Sequence, residues 1–284
     1  MEISQLELLS IQYRKTILSI IMKANAGHTG GSLSCVDILN VLYNHVMNIS
    51  PENFHDRSRD RYIHSKGHSV EALYTVLADR GFFPLTDLDS MEKFKSPYLG
   101  HPTRKVNGIE HNTGALGHGL SVAVGMALSA KIDALPFKVY AVLGDGELTE
   151  GSVWEASMSA AHYHLDNLVV IIDRNMLQIT GKTEEVMGLE PLANKFEAFG
   201  FAVKSIDGNN IRDLVQIFEQ IPFCAGKPNL ILARTTKGKG ISFIENQVLW
   251  HHHVPTGEQY IQAIEELDLA EKNLREKYET VTVG

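Results

Sequence analysis

The sequence predicts a doubly wound α/β fold, a mainly parallel sheet with helices on both faces. Three observations carry that expectation. KVYAVLGDG (138–146) and NLVVIIDRN (167–175) are unbroken apolar runs, the pattern of strands buried on both sides. EGSVWEASMSAAHYH (150–164), between them, reads as a helix, which gives the order strand, helix, strand. Residues 201–206 and 230–233 supply two more apolar runs of the same kind.

The remaining elements follow in chain order. Leu6, Leu9, Tyr13, Ile17, Ile20 and Ile21 recur every three or four residues, so a helix is expected over 4–24, ending near the turn Asn25-Ala26-Gly27. A second helix should follow Ser34, carried by Val36, Leu39, Val41 and Leu42. A short strand at 62–63 and a helix over 70–78 come next. Residues 84–117 are rich in Gly, Pro and Asn, too long for an idle connector and too polar for a core. A small-residue helix over 120–130 precedes the strand-helix-strand unit, and a charged helix over 257–278 closes the chain. No repeat, low-complexity tract or linker divides the sequence, so one domain over 1–284 is expected.

Composition narrows the function. Of 284 residues, 44% are hydrophobic and 21% charged, which excludes a disordered tail or a fibre. Twenty-six Lys and Arg against 34 Asp and Glu give a net charge of -8, which argues against a nucleic-acid partner. Cys35 and Cys224 are the two cysteines; with no CxxC spacing, neither a disulfide framework nor a zinc site is expected, and a reducing cytoplasm fits. The apolar stretch 17–22 is broken by Ser19, is too short to span a bilayer and lacks a basic region and cleavage site, so no export or membrane anchoring is expected.

Chemistry concentrates at two strand ends. In open parallel sheets ligands bind beyond the carboxyl ends of strands, where Gly144-Asp145-Gly146 and Asn175 stand. The glycines let backbone amides approach an anion, while Asp145 and Asn175 offer hard oxygens, a set suited to Mg²⁺ completed by phosphate oxygens. Taken alone, the GDG reads more readily as a strand-to-helix turn in which Asp145 caps the helix. Residues 147–174, 28 in all, separate the GDG from Asn175, and the pair is what favours a diphosphate-metal site. Among 13 histidines, His28, His68, His101, His111 and His118 fall in or beside the glycine-rich and proline-rich loops. The run His251-His252-His253 has its own alternative, an exposed metal-sticky loop.

A GDG followed by just under thirty residues and an Asn resembles the thiamine diphosphate signature. GHTGGSLS (27–34), SKGHSVEALY (65–74), GHPT (100–103), TGALGHGL (113–120), GDGELTEGSVWEAS (144–157) and RTTKGKG (234–240) resemble, in that order, the motifs of transketolase. They span nearly the whole chain but only the first, diphosphate-binding third of a full transketolase. The resemblance implies the N-terminal subunit of a split, two-subunit transketolase of pentose phosphate metabolism. Such an enzyme transfers a two-carbon ketol unit from a ketose or ketose phosphate donor to an aldose acceptor. It implies thiamine diphosphate with Mg²⁺, for which Ca²⁺ or Mn²⁺ can substitute, the cation being held by Asp145, Asn175 and the carbonyl of Leu177. Gly146 and His68 would contact the diphosphate, Leu116 and Ile179 would flank the thiazolium, and the backbone of Gly114 would face the aminopyrimidine. His28, His68, His101 and His252 would be the catalytic set, His252 also contacting the cofactor; it is placed by counting three residues back from Pro255. Glu150 and Glu155 match acidic positions that link paired sites across the family's dimer.

The resemblance also implies a companion, a C-terminal transketolase subunit whose pyrimidine-binding domain carries the activating Glu, in an α2β2 assembly. Full transketolases typically have Pro and Gln where this chain has Ala115 and His118, so donor contacts there should differ. Half of a deoxyxylulose phosphate synthase-like enzyme shares the GDG and early GH motifs, but SKGHSVEALY and LGHPT favour transketolase. The α subunit of a 2-oxo acid dehydrogenase lacks this spread of loop histidines. A non-catalytic thiamine diphosphate-binding relative would not need the intact histidine set.

Overall fold

The structure, a computed structural model, describes residues 1–282. Helices α1 (Ile3–Ala24) and α2 (Thr29–Val41) lead to strand β1 (Arg61–His64) and helix α3 (Val70–Asp79). After the irregular segment come α4 (His118–Ile132), β2 (Val139–Gly144), α5 (Gly151–His162) and β3 (Leu168–Arg174). A small hairpin, β4 (Leu177–Gln178) with β5 (Gly181–Lys182), and the single turn α6 (Thr183–Val186) hang from the end of β3. Helices α7 (Leu192–Phe199) and α8 (Ile211–Phe218) flank β6 (Ala202–Asp207), and β7 (Asn229–Arg234) and α9 (Gly257–Thr282) complete the order.

The five longer strands form one sheet in the order β1-β2-β3-β7-β6, and every pairing is parallel. Alternation along the central strands explains why their runs are apolar throughout. Tyr140, Val142, Val169, Ile171, Ile231 and Ala233 face a core shared with α1, α2, α3 and α8. Val139, Ala141, Leu143, Leu168, Val170, Ile172, Leu230 and Leu232 face a second core built with α4, α5 and α7. With both faces covered, each larger side chain gains about 1.5–3 kcal/mol by leaving water. The register sets Gly144 beside Asp173, so the glycine turn after β2 and the polar residues after β3 emerge side by side.

Two local readings differ from the structure. Helix α2 begins at Thr29 rather than after Ser34, so GGS is helical. Gly30 serves close packing instead of a turn: a Cβ there would lie 2.8 Å from the Trp250 carbonyl oxygen, whereas one on Gly31 would make only ordinary contact with the His68 ring at 3.5 Å. Helices α7 and α8 were not foreseen. In α8, Ile211, Leu214, Val215 and Phe218 are buried at helical spacing, and the Asn210 side chain caps the helix by accepting from the Arg212 and Asp213 amides. Among the described residues no helix is long and apolar enough to cross a membrane, and both cysteines are free, Cys35 buried and Cys224 exposed.

Candidate active site

β2 runs out at Gly144 because the chain turns at once into the 3-10 segment Gly146–Thr149, which Asp145 caps by accepting from the Gly146 amide at 2.9 Å. Glu147, 2% exposed, ties this turn to the start of α4: its carboxylate accepts from the amides of Gly144 (3.1 Å) and Gly117 (2.9 Å) and from the Ser65 hydroxyl. The other oxygen of Asp145 accepts from the Met176 amide at 2.7 Å and pairs with Arg174 at 3.1 Å. Capping and a turn toward β3 therefore coexist in one carboxylate. Asn175 Oδ1 accepts from the Leu177 amide at 3.2 Å, and the Leu177 carbonyl accepts from Lys237 Nζ at 3.1 Å.

These groups border a cavity of about 250 Å³ at the carboxyl ends of β2 and β3. Asp145, Gly146, Asn175, Leu177, Ile179, Gly114, Leu116 and His68, all expected from the sequence, line it. Gly146 is fitted to its place, since a Cβ there would stand 3.0 Å from that of Gln178. Gly114 has φ +142, and a Cβ would press to 2.8 Å from the His101 ring. A larger, open hollow of about 540 Å³ beside α1 and α9 holds none of these groups.

The histidines gather around His28. Its ring centroid lies 5.3 Å from that of His68, 6.2 Å from His101, 5.8 Å from His251 and 4.5 Å from His252. Four loops far apart in sequence thus bring five imidazoles together. Within the run 251–253 the residues separate. His251 lines the cavity, stacks on His68 at 5.4 Å and contacts Lys237 Nζ at 2.8 Å. His252 is exposed and reaches His28 without lining the cavity, and His253 turns its ring to Trp250. Trp250 is buried and meets the His253 ring edge-on at 4.7 Å, while counting back from Pro255 selects His252.

Sequence reasoning also passed over two buried lysines. Lys66 is fully enclosed, bonding to Asp173 and to the Gly31 carbonyl at 3.1 Å; Asp173 in turn accepts from Ser34 at 2.6 Å and from Thr235. Burial alone would lower the Lys66 ammonium pKa, but Asp173 more than reverses it and holds it above its ordinary value. Lys237 has no such partner, and burial with the charge of Lys66 brings it down to about 8. Both lie inside the motifs SKGH and RTTKGKG, so the signal was present as a residue type. Burial, followed by neighbouring imidazoles and lysines, lowers His28 to about 3. Burial and Lys237 do the same to His251, and burial and Lys66 push His68 well below its usual value. Burial thus favours the neutral form of the imidazoles facing the cavity, in which a ring nitrogen can accept a hydrogen bond.

The donor set fits a diphosphate with a divalent cation. Two lysines and several N–H groups converge on one cavity, beside the Asp145 carboxylate, the Asn175 amide oxygen and the Leu177 carbonyl, while the Glu147 carboxylate is taken up by Gly117, Gly144 and Ser65. The buried Nδ1 of His28 and Oε1 of Gln178 have no protein partner.

The family model for transketolase, thiamine diphosphate binding domain, matches residues 8–272. The chain belongs to the transketolase family. It is 49% identical over 267 residues to an apulose-4-phosphate transketolase subunit of Phocaeicola vulgatus, covering 94% of this chain and 95% of that one. It is 44% identical over 256 residues to 6-deoxy-6-sulfo-D-fructose transketolase subunit SqwG of a Clostridium species, covering 90% and 93%. Transketolase from Leishmania mexicana superposes with a TM-score of 0.86 at 27% identity, over 94% of this chain. The chain spans only 41% of the length of that transketolase.

Proposed function

We propose that this chain, as one diphosphate-binding domain over 1–284, is the N-terminal, diphosphate-binding half of a two-subunit transketolase that transfers a two-carbon ketol unit from a ketose or ketose phosphate to an aldose. The observation that carries the reading is the single cavity where Asp145, Asn175 and Leu177 meet Lys237, His68 and His251, in a chain matched along nearly its whole length by relatives named as transketolase subunits. Asp145, the Asn175 amide oxygen and the Leu177 carbonyl would hold Mg²⁺, for which Ca²⁺ or Mn²⁺ can substitute. The protein donors now on those oxygens would give way to the cation. The Gly146 amide, His68, His251 and Lys237 would bind the diphosphate, relieving the repulsion between Lys237 and Lys66. Leu116 and Ile179 would flank the thiazolium and Gly114 would face the aminopyrimidine. Bound thiamine diphosphate supplies the electron sink for cleavage between C2 and C3 of the ketose.

The side chains move protons and orient sugars. His28, neutral and central in the cluster, takes the proton of the donor hydroxyl as the C2–C3 bond breaks. His101 and His252, on the more open side of the cluster, orient the donor and the acceptor aldehyde. We further infer a companion subunit with the pyrimidine-binding domain and its activating Glu, an α2β2 assembly, and a cytoplasmic place in pentose phosphate metabolism. Reconstitution tests this: the purified chain should show no ketol transfer alone and gain it on mixing with its companion. Robust turnover by the single chain, free of host enzyme, would overturn the two-subunit reading.

A further inference from the structure

α3 begins at Val70, one residue beyond the turn that holds His68, and its first turn carries Glu71, a carboxylate with no exposure and no cation among its hydrogen-bond partners. One oxygen accepts from the His28 backbone amide at 3.1 Å, and the other from the Ser32 hydroxyl at 2.7 Å. Both donors belong to the entry of α2, where His28 is the N-cap and makes no capping bond with its own side chain. The His28 carbonyl accepts from the Ser32 amide at 3.0 Å, so Glu71 grips both ends of the first helical turn. A carboxylate at this position also faces the positive end of the α2 dipole, which stabilises its charge.

Gly27 shows that the approach is close. A Cβ there would stand 2.6 Å from the Glu71 oxygen and 2.7 Å from Ile21, and φ is +146, a conformation that favours glycine. The His28 ring cannot supply the same constraint, because its Nδ1 is buried without a partner. Its aim therefore draws on the backbone that Glu71 holds, together with the packing of the ring against His68 and His252. Since the turn Gly67–Ser69 that carries His68 leads into α3, one short stretch of chain bears on two of the clustered imidazoles.

We propose that Glu71 is a positioning residue for His28, capping α2 from a neighbouring helix so that the imidazole is held in line with the reacting sugar. The proposal rests on the catalytic reading of His28 given above. Burial lifts the Glu71 carboxyl to about 7, and the hydrogen bonds from the Ser32 hydroxyl and the His28 amide offset that rise only in part.

A kinetic double-mutant cycle in the assembled two-subunit enzyme, with saturating thiamine diphosphate and Mg²⁺, tests it. Glu71→Gln keeps the size but cannot accept at both oxygens. It should lower kcat roughly 10- to 100-fold, the range for a misplaced catalytic group, with KM and cofactor affinity little changed. In the His28→Ala background the same substitution should lower kcat by no more than about twofold, because its effect acts through the missing imidazole. Ser32→Ala, which releases one oxygen, should show the same non-additive pattern at smaller size. Separately, hydrogen exchange of the full chain should show faster exchange at residues 28–33 in Glu71→Gln. A Glu71→Gln loss equal in both backgrounds, or a wild-type kcat, would overturn the positioning role while leaving His28 catalytic. A His28→Ala enzyme with near-normal kcat would overturn both readings.

Discussion

The ion pair beneath the cavity sets a stability that can be worked out from the structure. Lys66 and Asp173 side chains are 1% and 0% exposed, and Asp173 also accepts from Ser34, Thr235 and the Asn175 side chain. Asp173→Asn keeps the shape and acceptor of the side chain but leaves the Lys66 cation buried without its counter-charge. Removing one partner of such a pair costs about 3–5 kcal/mol, a large share of the roughly 5–15 kcal/mol that holds a domain together. Replacing both, as Lys66→Met with Asp173→Leu, removes the uncompensated charge and should recover most of that loss. The sign with pH follows. Burial would raise the Asp173 carboxyl, but Lys66, Ser34 and Thr235 hold it below the ordinary range. Its stabilisation is therefore present above the unfolded carboxyl pKa of about 3.9 and lost as pH falls through the lower folded value. Urea unfolding of the purified chain at pH 7 measures the loss. A change below about 1 kcal/mol in Asp173→Asn would refute the argument, since it would mean that Lys66 is solvated or otherwise paired.

Two further outcomes bear on the histidines. At saturating cofactor in the assembled enzyme, His28→Ala should lower turnover by about 10² to 10⁴ while leaving cofactor binding nearly intact; a rate within about threefold of wild type would remove His28 from the proton-transfer role. His251→Ala should weaken thiamine diphosphate binding and His252→Ala should not, as read by titration with each variant. The opposite ranking would restore the register counted from Pro255.

Legibility in the sequence followed the physics of each element. The central strands were readable because burial on both faces keeps their middles apolar, as in residues 139–144 and 168–172, whereas the edge strand β6 is only partly buried and carries Lys204 and Ser205. The start of α2 was not, because Gly30 and Gly31 signal a turn locally, while the close approach of the Trp250 carbonyl to Gly30 is a tertiary contact. Asp145, Gly146 and Asn175 were found because adjacent parallel strands deliver their ends to one place. Lys66, Lys237 and Glu147 were passed over because charge in a short motif does not reveal burial, which three or four distant segments create together. Glu71 looked like any acidic residue in a first helical turn. The choice among His251, His252 and His253 depends on how Trp250 seats in the core, a tertiary fact that residue counting does not contain.

Calorimetric titration of thiamine diphosphate into the assembled two-subunit complex, with and without Mg²⁺, for the wild type and Asp145→Asn, tests the central claim most directly. Asp145 is the one carboxylate lining the cavity that faces Asn175 across the strand ends, with Glu147 occupied by Gly117, Gly144 and Ser65. Losing a ligand should cost more than the roughly 10- to 100-fold typical of outer-shell changes, so Mg²⁺-dependent binding should weaken by more than about 100-fold. Unchanged Mg²⁺-dependent binding in Asp145→Asn would contradict the assignment of this cavity as the metal-diphosphate site.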